Sequence, residues 1–182
     1  MSAAQNRLRG MVYAALFGAL TALGAYLTIP LPVVPITLQT LFTNLAGALL
    51  GGVFGALSQV VYVFLGVVGL PVFAGGKAGL GVLLGPTGGY LIGFVIGAFV
   101  IGKLVEKIVE TKKKPGFLHY ATAMTVGLAV IYACGVLQLT AVAKITFGKA
   151  LAVGVFPFLP GDFIKIAAAS LITLKLRDSI RL

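Results

Sequence analysis

The sequence predicts an all-α integral membrane protein, a single membrane domain over residues 1–182 with six transmembrane helices, and three observations point there. The chain is 59% hydrophobic with a mean hydropathy of +1.10, far above the roughly half-apolar composition of soluble domains. Only 14 basic and 4 acidic residues are present. The basic ones gather at the ends of apolar segments, which is the pattern of membrane topology rather than of a nucleic-acid surface. Proline and glycine clusters cut the apolar sequence into pieces of roughly membrane length. Cys134 stands alone in an apolar segment, so the chain has neither a disulfide framework nor a thiolate metal site.

The first helix is expected at about 9–28. Arg7 and Arg9 precede it as in a signal peptide, but the apolar run from Met11 to Ile29 exceeds the ~7–15 residue core of such a segment and reads as a retained span. Ala15, Gly18, Ala19 and Ala22 fall on one face at i, i+3, i+4 and i+7, a strip along which another backbone can approach closely. That backbone belongs either to this chain or to a separate subunit. Pro30, Pro32 and Pro35 then end the helix.

Residues 37–70 are almost continuously apolar, about 50 Å as one helix and too long for a ~30 Å hydrocarbon core. Gly51 and Gly52 divide them into helices at about 37–50 and 53–69. The first carries Thr37, Gln39, Thr40, Thr43 and Asn44, a side that offers hydrogen bonds either to a ligand or to neighbouring helices. Ser58, Gln59 and Tyr62 bring the same two possibilities to the second.

Residues 69–85, the outer loop between helices three and four, hold too many glycines for a regular helix yet remain apolar. Such a loop suits a position over a cavity, where the backbone around Phe73, Gly75 and Gly76 faces a ligand. It lacks the Gly-Lys-Ser/Thr ending of a phosphate loop. Lys77 is its single charge. Helices four and five follow at about 86–110 and 117–141, with a small face at Gly93, Gly97 and Ala98. The segment from Lys103 to Lys114, with Glu106 and Glu110, reads as a solvated helix end.

The sixth helix, about 160–176, opens on Pro160-Gly-Asp162, with Lys165 a turn deeper on the same face. A charge inside a bilayer costs roughly 2.5–3.5 kcal/mol on insertion scales, so such pairs line a pocket, a path or a helix interface. Asp162 and Lys165 are therefore either part of a site or a structural ion pair that locks the helix. With both termini cytoplasmic, ten basic residues lie inside, and Lys77, Lys144 and Lys149 lie outside, in keeping with the positive-inside rule. The proline segment, the glycine loop and the Asp162 end of the last helix then share the outer side.

There is no His-Glu-x-x-His, no Walker motif, no pair of membrane aspartates and no Ser-His-Asp set. The chain carries no catalytic residues, no metal site and no means of using ATP by itself. What remains is a binding site for a small, mostly apolar ligand, with Phe73, Tyr90 and Phe158 as aromatic walls.

Four stretches, Pro35-Ile-Thr-Leu-Gln-Thr40, Gly69-Leu-Pro-Val-Phe-Ala-Gly-Gly76, Gly85-Pro-Thr-Gly-Gly-Tyr90 and Pro160-Gly-Asp-Phe-Ile-Lys165, occur in an order that closely resembles the BioY family, the biotin-specific substrate-binding (S) subunits of energy-coupling factor (ECF) transporters. The resemblance implies a six-helix S-component-like bundle in a prokaryotic plasma membrane that captures extracellular biotin with high affinity and needs no cofactor. It implies a transmembrane coupling subunit and two ATPase subunits as partners, with Ala15, Gly18, Ala19 and Ala22 as the docking face. It also implies that substrate is held by Asp162, Lys165, Thr37, Gln39, Thr40, Asn44, Phe73, Gly75, Gly76, Lys77 and Tyr90. Lys77 departs from the family, where a glycine is more usual. For a ligand that resembles biotin, Asp162 can accept from ureido N–H groups and Lys165 can donate to the ureido carbonyl or the tail carboxylate, and either orientation fits. An S subunit for another vitamin, and a membrane enzyme or assembly protein, are the competing readings.

Overall fold

A computed structural model describes residues 3–112 and 115–180, so Lys113 and Lys114 of the charge run and Arg181 of the tail lie outside the described residues. The first helix, α1 (Ala3–Tyr26), begins earlier than the apolar run because its polar first turns continue the same helix. The prolines that follow are bracketed by two short antiparallel strands, β1 (Thr28–Ile29) and β2 (Ile36–Thr37), with Thr28 opposite Thr37. Thr37, expected to open the next helix, is spent on this pairing.

The next helix, α2 (Gln39–Val67), is regular except at Gly51, where φ is +80° and ψ −179°. This backbone is essentially restricted to glycine, and at it the chain reverses. A Cβ added to Gly55 would lie 2.8 Å from the Cα of Gly47, and Gln39 Nε2 donates to Tyr62 Oη at 2.5 Å, whereas a straight helix would hold residues 39 and 62 about 35 Å apart. The two halves of α2 are thus antiparallel neighbours. Glu106 fixes the reversal, accepting from the Gly52 N–H at 2.8 Å while paired with Lys103 at 2.7 Å. The acid expected on a solvated helix end is therefore a cap for another helix. Arg177 donates to the Ala48 carbonyl beside it.

Beyond α2 the glycine segment forms a 3₁₀ turn (Ala74–Gly76) and a five-residue helix, α3 (Leu80–Leu84), so it is less irregular than expected. Two long helices come next, α4 (Gly88–Thr111) and α5 (Phe117–Ala143). The connection expected after them holds a short helix, α6 (Phe147–Gly154), whose N-cap Thr146 accepts from the Lys149 N–H. The last helix, α7 (Leu159–Ile180), is bent by 54° from α6. Among the described residues, four helices are long and apolar enough to cross a membrane, or five if α6 and α7 form one span.

Two apolar clusters hold the bundle together. One centres on Phe17, Leu49, Ile101, Met124 and Ile166, the other on Tyr62, Phe73, Phe94, Ile131 and Phe158. Close approach of α4 to the α2 reversal depends on Gly102, where a Cβ would lie 2.2 Å from the Gly52 nitrogen. Leu23, Phe64, Leu118 and Ile164 face outward with more than 60% of their surface exposed, as lipid-facing side chains do.

Gly51→Ala is expected to cost about 1–3 kcal/mol, since the new Cβ meets both a glycine-only backbone and the Glu106 carboxylate. A melting curve in detergent should move down for Gly51→Ala and stay in place for Gly148→Ala, where an added Cβ meets nothing within 4 Å.

Candidate functional site

Asp162 and Lys165 sit in the first turns of α7 and are almost fully enclosed, with 2% and 8% of their surfaces exposed. Pro160 just inside the helix start leaves the local backbone without a lost hydrogen bond. The carboxylate and ammonium are 2.8 Å apart. Two more helices supply donors to the acid: Thr40 Oγ1 of α2 donates to Asp162 Oδ1 at 2.8 Å, and Tyr132 Oη of α5 donates to Asp162 Oδ2. Lys165 Nζ also donates to Thr40 Oγ1 at 3.2 Å. The group therefore joins three helices into one polar cluster.

Its hydrogen-bonding capacity is not used up. A carboxylate offers about four acceptor positions, and Asp162 receives three donors, from Thr40, Tyr132 and Lys165. Lys165 spends two of its three N–H groups, on Asp162 and Thr40. About one acceptor position on Asp162 and one donor on Lys165 remain, together with the lone pairs of Tyr132 Oη. A ligand with adjacent N–H and C=O groups is the natural complement.

The cluster forms part of the wall of a pocket of about 730 Å³, solvent at its mouth included. Thr37, Gln39, Thr40, Phe73, Lys77, Tyr90, Phe158, Asp162 and Lys165 all line it. Val34, Pro35, Val82, Leu91, Phe94 and Ile131 complete the apolar walls. Phe73 is driven in from the glycine loop and meets Tyr62 edge-on, with ring centres 5.7 Å apart. Tyr90 is anchored by its hydroxyl, which donates to the Gly154 carbonyl at 2.8 Å. The pocket thus combines an apolar lining with a few convergent polar groups, as small-molecule sites do.

Three expected site residues lie elsewhere. Gly75 and Gly76 belong to the 3₁₀ turn, in which Ala74 lines the pocket and neither glycine does, and Asn44 is buried one helical turn along α2 from Thr40. Among the described residues the Asn44 Oδ1 has no hydrogen-bond partner. Its neighbour Thr43 joins Gln59, Thr21 and Ser58 in a buried chain of hydrogen bonds between α1 and the two halves of α2, so part of the polar side of α2 links helices. Tyr132 is the participant that sequence reasoning missed. It stands in a helix that is apolar over most of its length, and only the packing of α5 against α7 reveals which way it faces.

The small strip on α1 divides. Ala15 and Ala19 are exposed, flanked by exposed Met11, Val12, Leu16 and Leu23. Gly18 is buried against α2, where a Cβ would lie 2.9 Å from the Ser58 carbonyl oxygen, and Ala22 is half-buried.

A family model described as the BioY family matches residues 1–182. The biotin transporter BioY of Thermotoga maritima is 46% identical over 170 residues, 93% of this chain and 96% of that protein. A probable biotin transporter BioY of Lysinibacillus sphaericus is 41% identical over 183 residues, 97% of this chain and 91% of that protein. Among solved structures, the crystal structure of the S-component for biotin from an ECF-type ABC transporter superposes with a TM-score of 0.88. It is 30% identical, and the match covers 98% of this chain and 95% of that one.

The charge pair makes a stability test possible. Asp162→Leu leaves a buried ammonium without its acid and is expected to cost about 3–5 kcal/mol, whereas adding Lys165→Met removes the orphaned charge and restores most of that loss. Thermal melts of wild type, single and double variants check this. Equal melting points for the two variants would mean that the ammonium finds solvent when its partner is gone.

Proposed function

The chain belongs to the BioY family, and on that basis we propose that it is the substrate-binding subunit of an ECF-type vitamin importer, which captures biotin and depends on partner subunits for ATP hydrolysis. The observation that carries this reading is the unspent hydrogen-bonding capacity around Asp162 and Lys165. A ureido group has two N–H donors and one carbonyl acceptor in a rigid ring, and the cluster offers acceptors on Asp162 and Tyr132 beside a donor on Lys165. Phe73, Tyr90, Leu91, Phe94 and Phe158 supply apolar surface for the sulfur-containing ring and the aliphatic tail.

The finer points of the proposal follow from this. The protein crosses the plasma membrane six times, with the two halves of α2 counted as separate passes and α6 with α7 as one. The N- and C-termini are cytoplasmic, and the pocket opens outward beneath the glycine loop. Substrate is held by Asp162, Lys165, Thr40, Thr37, Gln39, Phe73, Lys77 and Tyr90, with Gly75 and Gly76 shaping the loop and Asn44 supporting the helix behind Thr40. Exposed Ala15 and Ala19 form the surface on which a transmembrane coupling subunit packs. The two ATPase subunits act through that subunit.

Two variants separate capture from transport. Asp162→Asn keeps a carbonyl for Lys165 and Thr40 and so retains the fold, but it loses the charge that the ligand's N–H groups meet. Biotin affinity, measured by titration, is expected to fall at least tenfold, or about 1.4 kcal/mol. Ala15→Leu with Ala19→Leu should leave affinity within about threefold, less than ~0.7 kcal/mol, while abolishing ATP-dependent uptake and co-purification with the coupling subunit. Unchanged affinity in the first variant assigns Asp162 to structure alone, and surviving uptake in the second removes the strip from the coupling interface.

A further inference from the structure

From the charges around the pocket we infer that Lys77 reads the ligand's anionic tail and makes the site selective for a free carboxylate, with the ureido head placed against Asp162 and Lys165. The inference rests on biotin as the ligand and adds an orientation and a specificity-determining residue. The polar cluster carries no net charge, because Lys165 is neutralised by Asp162 at 2.8 Å. A ligand carboxylate placed there would face the Asp162 carboxylate and gain no unpaired cation. Lys77 is different: it is exposed, it borders the pocket, and among the described residues its ammonium is paired with no acid. The Asp162–Lys165 part of the lining is therefore matched to a neutral group of donors and acceptors, and Lys77 supplies the uncompensated positive charge.

The backbone holds Lys77 in this position. The Phe73 N–H donates to the Lys77 carbonyl at 3.0 Å, and the turn between them is closed by Gly75 and Gly76 at φ +70° and +72°, values that side-chain-bearing residues rarely adopt. Phe73 in turn is 1% exposed, its ring lodged over Gly66. The loop is thus pinned through Phe73, and the Lys77 side chain is presented from a fixed base rather than from a wandering tip. A fixed base lowers the ordering cost of forming an ion pair with the ligand.

The test compares biotin with biotinamide, whose tail is neutral, by titration of the detergent-purified full chain. Wild type is expected to prefer biotin by about three- to fivefold, the range of a partly exposed ion pair. Lys77→Gln should erase that preference through weaker binding of biotin, and Lys77→Arg should keep it. A preference that survives in Lys77→Gln, or a loss of affinity equal for both ligands, would overturn the inference while leaving biotin as the substrate. Binding of neither ligand by wild type would overturn the functional reading, and this inference with it.

Discussion

The structure depends on keeping one acid and one base inside an apolar bundle. Neither Asp162 nor Lys165 is tolerable alone at that depth, and a bare ion pair seldom offsets the desolvation of both ions. Thr40 and Tyr132 make the arrangement sustainable, because each donates to the carboxylate from a different helix. The requirement thereby becomes architectural: α2, α5 and α7 must meet at one point, and the residues that let them meet are as constrained as the pair itself. Residual donors and acceptors at that point are what a polar ligand can use.

The reversal of α2 serves this requirement. By folding back at Gly51, the chain brings Tyr62 beside Gln39, whose side chain also accepts from Thr37 at 2.7 Å. Gln39 and Thr37 are thus oriented before any ligand arrives, and Thr40, the next hydroxyl, is directed at Asp162. At the opposite end Glu106 caps the second half of α2 and Arg177 of α7 binds the end of the first. The helix that carries the charge pair is therefore tied to α2 at both ends, through Thr40 near the pocket and through Ala48 near the reversal.

Much of this was legible in the sequence, and the parts that were not share a cause. Asp162 and Lys165 stood out because charge in an apolar run is costly, and the three-residue spacing put them on one face. The break at Gly51 was legible from length, since no single helix of that extent fits a bilayer. A reversal there was implied as well, because the proline segment before the two spans and the glycine loop after them were expected on the same side; the left-handed backbone of Gly51 that makes it was not. Tyr132 and Glu106 were missed as functional contacts for a common reason: each meets a partner at least thirty residues away, and no local pattern encodes that distance. The eight residues of α6 are too few for helical periodicity to register. On α1, spacing placed Ala15 and Gly18 in one strip, but packing turns Gly18 inward and leaves Ala15 exposed.

On the proposed function, the charge pair, and not merely the apolar cavity, holds the substrate. A crystal structure of this protein with biotin bound tests it most directly. Ureido atoms are expected within about 2.7–3.2 Å of the Asp162 carboxylate and the Lys165 ammonium. Biotin seated away from these groups, with the bonds among Asp162, Lys165, Thr40 and Tyr132 undisturbed, would contradict it.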